Sequence, residues 1–162
     1  MSNDPTPAQM LRHLRHANDV ARAAMQAGHH PFGALLVAPD HEAVLLEQRN
    51  VDSVNHAEAV LAREAAARFA PGLLWDCTLV TTVEPCAMCA GTQYWAHIGR
   101  LVYGLSEARL LQLTGSHAEN PTLDLPCRDV FARGQKNVRV WGPLPEVEEE
   151  IASLHRGFWK GR

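Results

Sequence analysis

The chain has no apolar run that approaches a membrane span. Its start, Met1-Ser2-Asn3-Asp4-Pro5, has neither the basic opening nor the apolar stretch of a secretory signal, so the expected location is cytoplasmic. It contains no internal repeat, linker or low-complexity tract, which argues against an array or a multidomain reading. Basic charge is also lacking. The formal net charge is −3, whereas a binder of tRNA or duplex usually carries a basic field. Cysteine is sparse, with four in 162 residues, too few and too irregularly spaced for a disulfide scaffold.

What remains is the composition of an ordinary globular enzyme. Hydrophobic residues make up 46% and charged residues 20% of the chain, and its length suits one domain, residues 1–162, with a real core. Cys77 and Cys127 have no ligand-like spacing and read as packing residues. Cys86 and Cys89 form a C-x-x-C, which alone admits either metal binding or redox chemistry. His56-Ala57-Glu58 upstream tips the balance toward metal.

The periodicity of Leu11, Leu14, Ala17, Ala21, Ala24 and Met25 predicts a helix from Pro7 to about Gly28. Phe32–Ala38 and Ala43–Glu47 read as an antiparallel hairpin around Pro39 and Asp40. A helix is expected from Asn55 to about Phe69, with Asn55 as N-cap, then a buried strand over Thr78–Val83. Pro85 is expected to open a third helix that runs to about His97. Leu101–Tyr103 and Val138–Trp141 read as strands. The segment from Gly115 to Pro126 is too polar and proline-rich for a regular element, and Leu113–Asp124, beside the expected pocket, reads as a specificity loop. Val147, Ile151, Leu154 and Phe158 share one face of a last helix, about residues 144–160. Helices alternating with strands predict an α/β protein, a three-layer α/β/α sandwich around a mixed sheet whose first pair is antiparallel.

Both halves of the motif fall where helices should begin. Helix N-termini favour thiolate, and Cys86 and Cys89, three apart, face the same way. One nitrogen and two sulfurs suit tetrahedral Zn²⁺, with a fourth position left for a water acidified to a pKa of about 7. H-x-E…P-C-x-x-C is the signature of zinc-dependent base deaminases, in which the Glu is general acid and base and not a ligand. This assigns His56, Cys86 and Cys89 to one zinc per subunit and Glu58 to proton transfer. A capping box from Asn55 to Glu58 is the structural alternative. A non-catalytic zinc fold or a C-x-x-C redox protein is the alternative of a different class.

His56-Ala57-Glu58-Ala59-Val60 and Thr82-Val83-Glu84-Pro85-Cys86-Ala87-Met88-Cys89-Ala90-Gly91 resemble the cytidine and deoxycytidylate deaminase-like superfamily. Gly28-His29-His30-Pro31-Phe32-Gly33-Ala34 and Tyr94-Trp95-Ala96 resemble the corresponding segments of bacterial guanine deaminases. The resemblance implies a five-stranded cytidine deaminase-like fold, a homodimer and hydrolytic release of ammonia from a small nucleobase or nucleoside, a guanine-type purine first. It also implies Phe32 and Trp95 as base-pocket residues, Asn50 and the Ala57 N–H as substrate donors, and Trp159 as an aromatic closing the pocket from the C-terminal tail. The loop from Asn50 to His56 is shorter than in guanine or tRNA deaminases. Glu84–Gly91 and Ile98–Gly104 are also similar to the tRNA adenosine deaminases, the second reading, which the acidic balance disfavours. Cytosine, isocytosine and aminotriazines are further candidate substrates. Glu107, Glu119 and Asp124 are candidate acceptors for amino or imino groups, with nothing in the sequence to choose among them.

Overall fold

The computed structural model describes residues 3–160 and 162. Helix α1 covers Pro7–Gln26, with a capping box between Thr6 and Gln9 at its start. The chain leaves it at Gly28, whose φ of +88° is a left-handed conformation that glycine adopts at little cost. Strands β1 (Gly33–Val37) and β2 (Val44–Arg49) then form the expected antiparallel hairpin. Next come α2 (Ala57–Arg68), a short α3 (Pro71–Asp76), β3 (Thr78–Val83), α4 (Ala87–Trp95) and β4 (Arg100–Leu105). The chain closes with α5 (Glu107–Thr114), α6 (Cys127–Ala132), β5 (Arg139–Trp141) and α7 (Pro145–His155).

The five strands form one mixed sheet in the order β2-β1-β3-β4-β5. β1 is antiparallel to β2 and β3, while β3, β4 and β5 run parallel. Alternation along the central strands splits the core in two. Ala34, Leu36, Leu79, Leu101 and Tyr103 face a cluster built with Leu61, Ala90 and Phe131. Leu35, Val37, Val80 and Val102 face the opposite cluster, with Leu14, Leu110 and Ile151. Helices α2, α3, α4 and α6 therefore cover one face and α1, α5 and α7 the other. This is the expected three-layer α/β/α sandwich, and two buried faces explain why its central strands are continuously apolar.

Gly33 shows how closely the layers approach. A Cβ there would lie 2.4 Å from the Ala17 carbonyl oxygen and 2.8 Å from the Ala21 nitrogen. The glycine of the Pro31-Phe32-Gly33-Ala34 segment thus lets the α1 backbone rest on β1 and fixes Phe32 just before the strand.

Several boundaries differ from the sequence reading. α2 is capped by His56, not Asn55, and Cys86 caps α4, leaving Pro85 outside the helix. α3, α5 and α6 are six, eight and six residues long, too short for a 3.6-residue period to stand out. The last helix stops at His155, short of the expected position near 160. Arg156 takes an extended conformation, and Gly157, at φ +77°, turns the tail.

Candidate zinc centre and active site

Parallel β3 points its C-terminal end at the start of α4, and α2 begins beside it. The two helix N-termini bring together His56, Cys86 and Cys89. His56 Nδ1 lies 3.6 Å from Cys86 Sγ and 3.5 Å from Cys89 Sγ, and the sulfurs are 3.7 Å apart. Zinc bonds of about 2.3 Å to sulfur and 2.0–2.1 Å to nitrogen at tetrahedral angles require separations of about 3.8 Å between sulfurs and 3.6 Å between sulfur and nitrogen. The three donors therefore already stand at the corners of a zinc tetrahedron.

Neighbouring groups fix the ligands. His56 Nε2 lies 2.9 Å from the Ser53 carbonyl oxygen; donating its proton there leaves the Nδ1 lone pair for the metal. That carbonyl is positioned by a turn built on Asp52, whose carboxylate accepts from the Val54 and Asn55 backbone at 2.9 and 2.7 Å. These bonds, the Asn55 backbone first, hold Asp52 at a pKa of about 2. Asn55 also donates its side-chain amide to Asp52, so it braces the turn instead of capping α2. Cys86, hydrogen-bonded by Cys89 and by His56, falls to a pKa of about 4 and supplies thiolate at neutral pH. Without the metal, the Cys86 contact raises His56 to about 9, and metal binding displaces the Nδ1 proton. With both sulfur charges near one another, the Cys86 contact and burial push Cys89 upward, and a cation among the three relieves that repulsion.

Glu58 sits in the first turn of α2 and is buried. The Thr81 hydroxyl of β3 donates to Glu58 Oε1 at 2.8 Å, and burial raises the carboxyl's pKa. Glu58 does not turn back onto the backbone of residue 55, so the capping-box alternative is not the arrangement found. Thr81 was not singled out from the sequence; its signal is a polar residue on the same side of a fully buried strand as Leu79.

A narrow cavity of about 50 Å³ lies over this centre, lined by His30, Phe32, His56, Glu58, Glu84 and Cys86 together with Val83, Glu107, Leu110 and Asn120. A wider cleft of about 250 Å³ shares His56, Cys86, Glu107, Leu110 and Asn120 with it and adds Met88 and residues 121–123. Glu84 spends both oxygens on structure, accepting from the Glu107 and Cys127 backbone at 3.0 and 2.8 Å. Burial, reinforced by neighbouring negative groups, raises Glu107 to a pKa of about 8. Asn120 and His30 are wall residues that no spacing argument had marked as such.

The site residues expected from the sequence separate in space. Phe32 is on the cavity wall, and Ala57 opens α2, where first-turn N–H groups lack helical acceptors. Asn50 is buried but lines the adjoining cleft with His29, Ser53 and Glu119, its amide nitrogen 3.3 Å from the Asp52 carbonyl. Trp159 is buried behind the cavity wall, 4.7 Å from His30 and 6.3 Å from Phe32 between ring centroids, and its Nε1 donates to His155 Nδ1 at 3.2 Å. It supports the wall of its own chain and does not form the cavity surface. Trp95 is 80% exposed at the end of α4, against Tyr94 and Lys136, and lies outside its own chain's cavity. At 100° per residue it has rotated well away from the Cys86–Cys89 face, whereas Gln93 turns inward.

The family model for the cytidine and deoxycytidylate deaminase zinc-binding region matches residues 7–105, which include all three metal donors and Glu58. The chain belongs to this deaminase family. Its members bind zinc, and this member is accordingly a zinc-dependent enzyme that hydrolyses C–N bonds. It is 35% identical to the probable cytosine deaminase of Schizosaccharomyces pombe over 99% of both chains. It is 36% identical to the tRNA-specific adenosine deaminase of Haemophilus influenzae over 58% of this chain and 57% of that one. Among solved structures, the guanine deaminase of Nitrosomonas europaea shares the fold with a TM-score of 0.69 and 24% identity, over 96% of this chain and 85% of that one. No helix among the described residues of the deaminase is long and apolar enough to cross a membrane.

Proposed function

We propose that this deaminase acts on a small free amine-bearing heterocycle, a guanine-type purine in the first instance. The observation that carries this reading is the narrow cavity with Glu58 and the metal donors on its wall, beside the rings of Phe32 and His30. Aromatic faces suit a flat base. Cytosine is the second reading, favoured by the end-to-end match with a probable cytosine deaminase. A tRNA substrate fits less well, because the chain carries a formal net charge of −3 and no overall basic field to meet a polyphosphate.

His56, Cys86 and Cys89 would hold the zinc, which would supply a water of lowered pKa. Glu58, poised beside the metal donors, would take the proton of the attacking water and deliver it to the ring nitrogen next to the amine-bearing carbon. It then passes the second proton to the departing amine. The balance is one water consumed, one ammonia released, and C–NH₂ converted to C=O. Thr81 holds the Glu58 carboxylate in line for both transfers. The Ala57 N–H and, from the adjoining cleft, the Asn50 amide are the donors to the base. Trp159 keeps the Phe32–His30 wall in place from behind.

We also place a second copy of the chain against α4, where Met88 and Trp95 are exposed. In that homodimer Trp95 serves the neighbouring subunit's site or the interface, not its own cavity. Light scattering on Trp95→Glu, expected to be monomeric against a dimeric parent, checks this.

The deciding experiment is ammonia release by the zinc-loaded protein from guanine, cytosine, isocytosine, aminotriazines, nucleosides and tRNA, with and without chelator. Chelator-sensitive release from a free base and none from tRNA supports the reading. Release from tRNA alone, or activity that survives complete zinc removal, overturns it.

A further inference from the structure

Among the acids near the cavity, one is built as though a partner were still to arrive. Glu107 opens α5 immediately after the N-cap Ser106, and its backbone N–H is held by Glu84 Oε1 at 3.0 Å. Glu84 is anchored in turn by the Cys127 N–H, so the start of α5 is fixed from two sides. The Glu107 side chain is only 7% exposed, and its Oε2 is buried with no hydrogen-bond partner among the described residues. It lines both the inner cavity, with Glu58, and the outer cleft.

The other acids are occupied or outside. Glu58 is bonded to Thr81, and Glu119 is paired with His30 and Arg162. Asp124 is exposed. A buried carboxyl oxygen without a donor costs folding stability, and such groups persist where function requires them.

We propose that Glu107 is the specificity residue of this enzyme, its Oε2, an acceptor in the neutral acid and in the carboxylate alike, accepting from an N–H of the heterocycle other than the amine that departs. This rests on the free-base reading above. The substrate class it selects is an amine-bearing ring with a second N–H donor on its edge, a ring N–H or a second exocyclic amine. A base with that edge methylated loses the contact.

The test is steady-state ammonia release by zinc-loaded wild type, Glu107→Leu and Glu107→Gln, on free bases and on their counterparts with each ring N–H methylated in turn. Glu107→Leu is expected to raise KM about 10- to 100-fold for the preferred base, the effect of losing a hydrogen bond to an ionisable group, with kcat within about threefold. It is also expected to flatten discrimination against one methylated counterpart. Glu107→Gln, which keeps one acceptor, is expected to fall between. Zinc content should be unchanged, and Tm should hold or rise, because the unpartnered oxygen is gone. A lowered Tm with kcat reduced equally on every base would show a merely structural Glu107 and overturn the proposal. An active wild type whose KM and base ranking survive Glu107→Leu sinks the Glu107 assignment alone. A wild type silent on every free base overturns the free-base reading and the assignment with it.

Discussion

Replacing Thr81 with Val isolates one hydrogen bond in the proposed proton path. The two side chains have nearly the same shape, and Thr81 is fully buried between β3 and α2, so the substitution removes a donor without opening a cavity. What is lost is the 2.8 Å bond from the Thr81 hydroxyl to Glu58 Oε1. A hydrogen bond to a charged group is worth about 1.5–3 kcal/mol, and a carboxylate left without its donor bears the larger part of that. Loss of a bond that favours the charged form moves the Glu58 pKa further up, in the direction burial already pushes it. Less of the carboxylate is then available as base. The expected outcome for Thr81→Val is a kcat lowered by about 10- to 100-fold at neutral pH, partly recovered at higher pH, with stoichiometric zinc. Thr81→Ser, which keeps the hydroxyl, should stay near wild type. The assay is ammonia release over a pH series, with metal content measured in parallel. A kcat for Thr81→Val within about twofold of wild type would refute the positioning role. So would an equal loss in Thr81→Ser.

Glu58→Gln should keep zinc and lower kcat by about 10²–10⁴-fold, the usual share of general acid–base catalysis; near-normal turnover would refute Glu58 as the proton carrier. His155 is fully buried against Trp159, and burial lowers its pKa from 6.5 to about 4, with His30 pushing the same way. The folded state therefore resists a proton that the unfolded chain accepts below 6.5. Stability should be level above about pH 7 and fall as pH drops from 6.5 toward 4, by about 3 kcal/mol at 1.36 kcal/mol per pKa unit. Urea unfolding at pH 7.5 and 4.5 should show this component in wild type and not in His155→Phe; equal pH dependence in both would count against it. Gly33→Ala should lower Tm by several degrees because its Cβ meets the α1 backbone at Ala17 and Ala21, and an unchanged melting curve would contradict that close approach.

The reaction was legible in the sequence because its signals are local. A donor at 56 and two donors three residues apart at the next helix start specify a metal site whenever those helices form. The helix and strand patterns around them were long enough to read. The two buried faces of β1, β3 and β4 also follow from continuous apolar runs. α3, α5 and α6 were not legible, since one or two turns carry too little periodicity. The helix caps were misplaced by one residue at α2, because Asn55 found a partner in Asp52 that only the folded turn supplies.

By itself, then, the sequence determined the metal, the reaction class and the layered α/β architecture, all written in short spacings and alternations. Tertiary structure alone decided which side chains share the cavity. Trp95 belongs to a motif yet points outward, because helix rotation and not sequence proximity sets its direction. Thr81 reaches Glu58 across 23 positions, and Glu107 arrives at the same cavity from β4's far end, the only one of three candidate acids to be buried there with an oxygen unpartnered among the described residues. Such contacts depend on the register of β3 against β4 and on how α2, α4 and α5 pack at their ends, which no local pattern encodes.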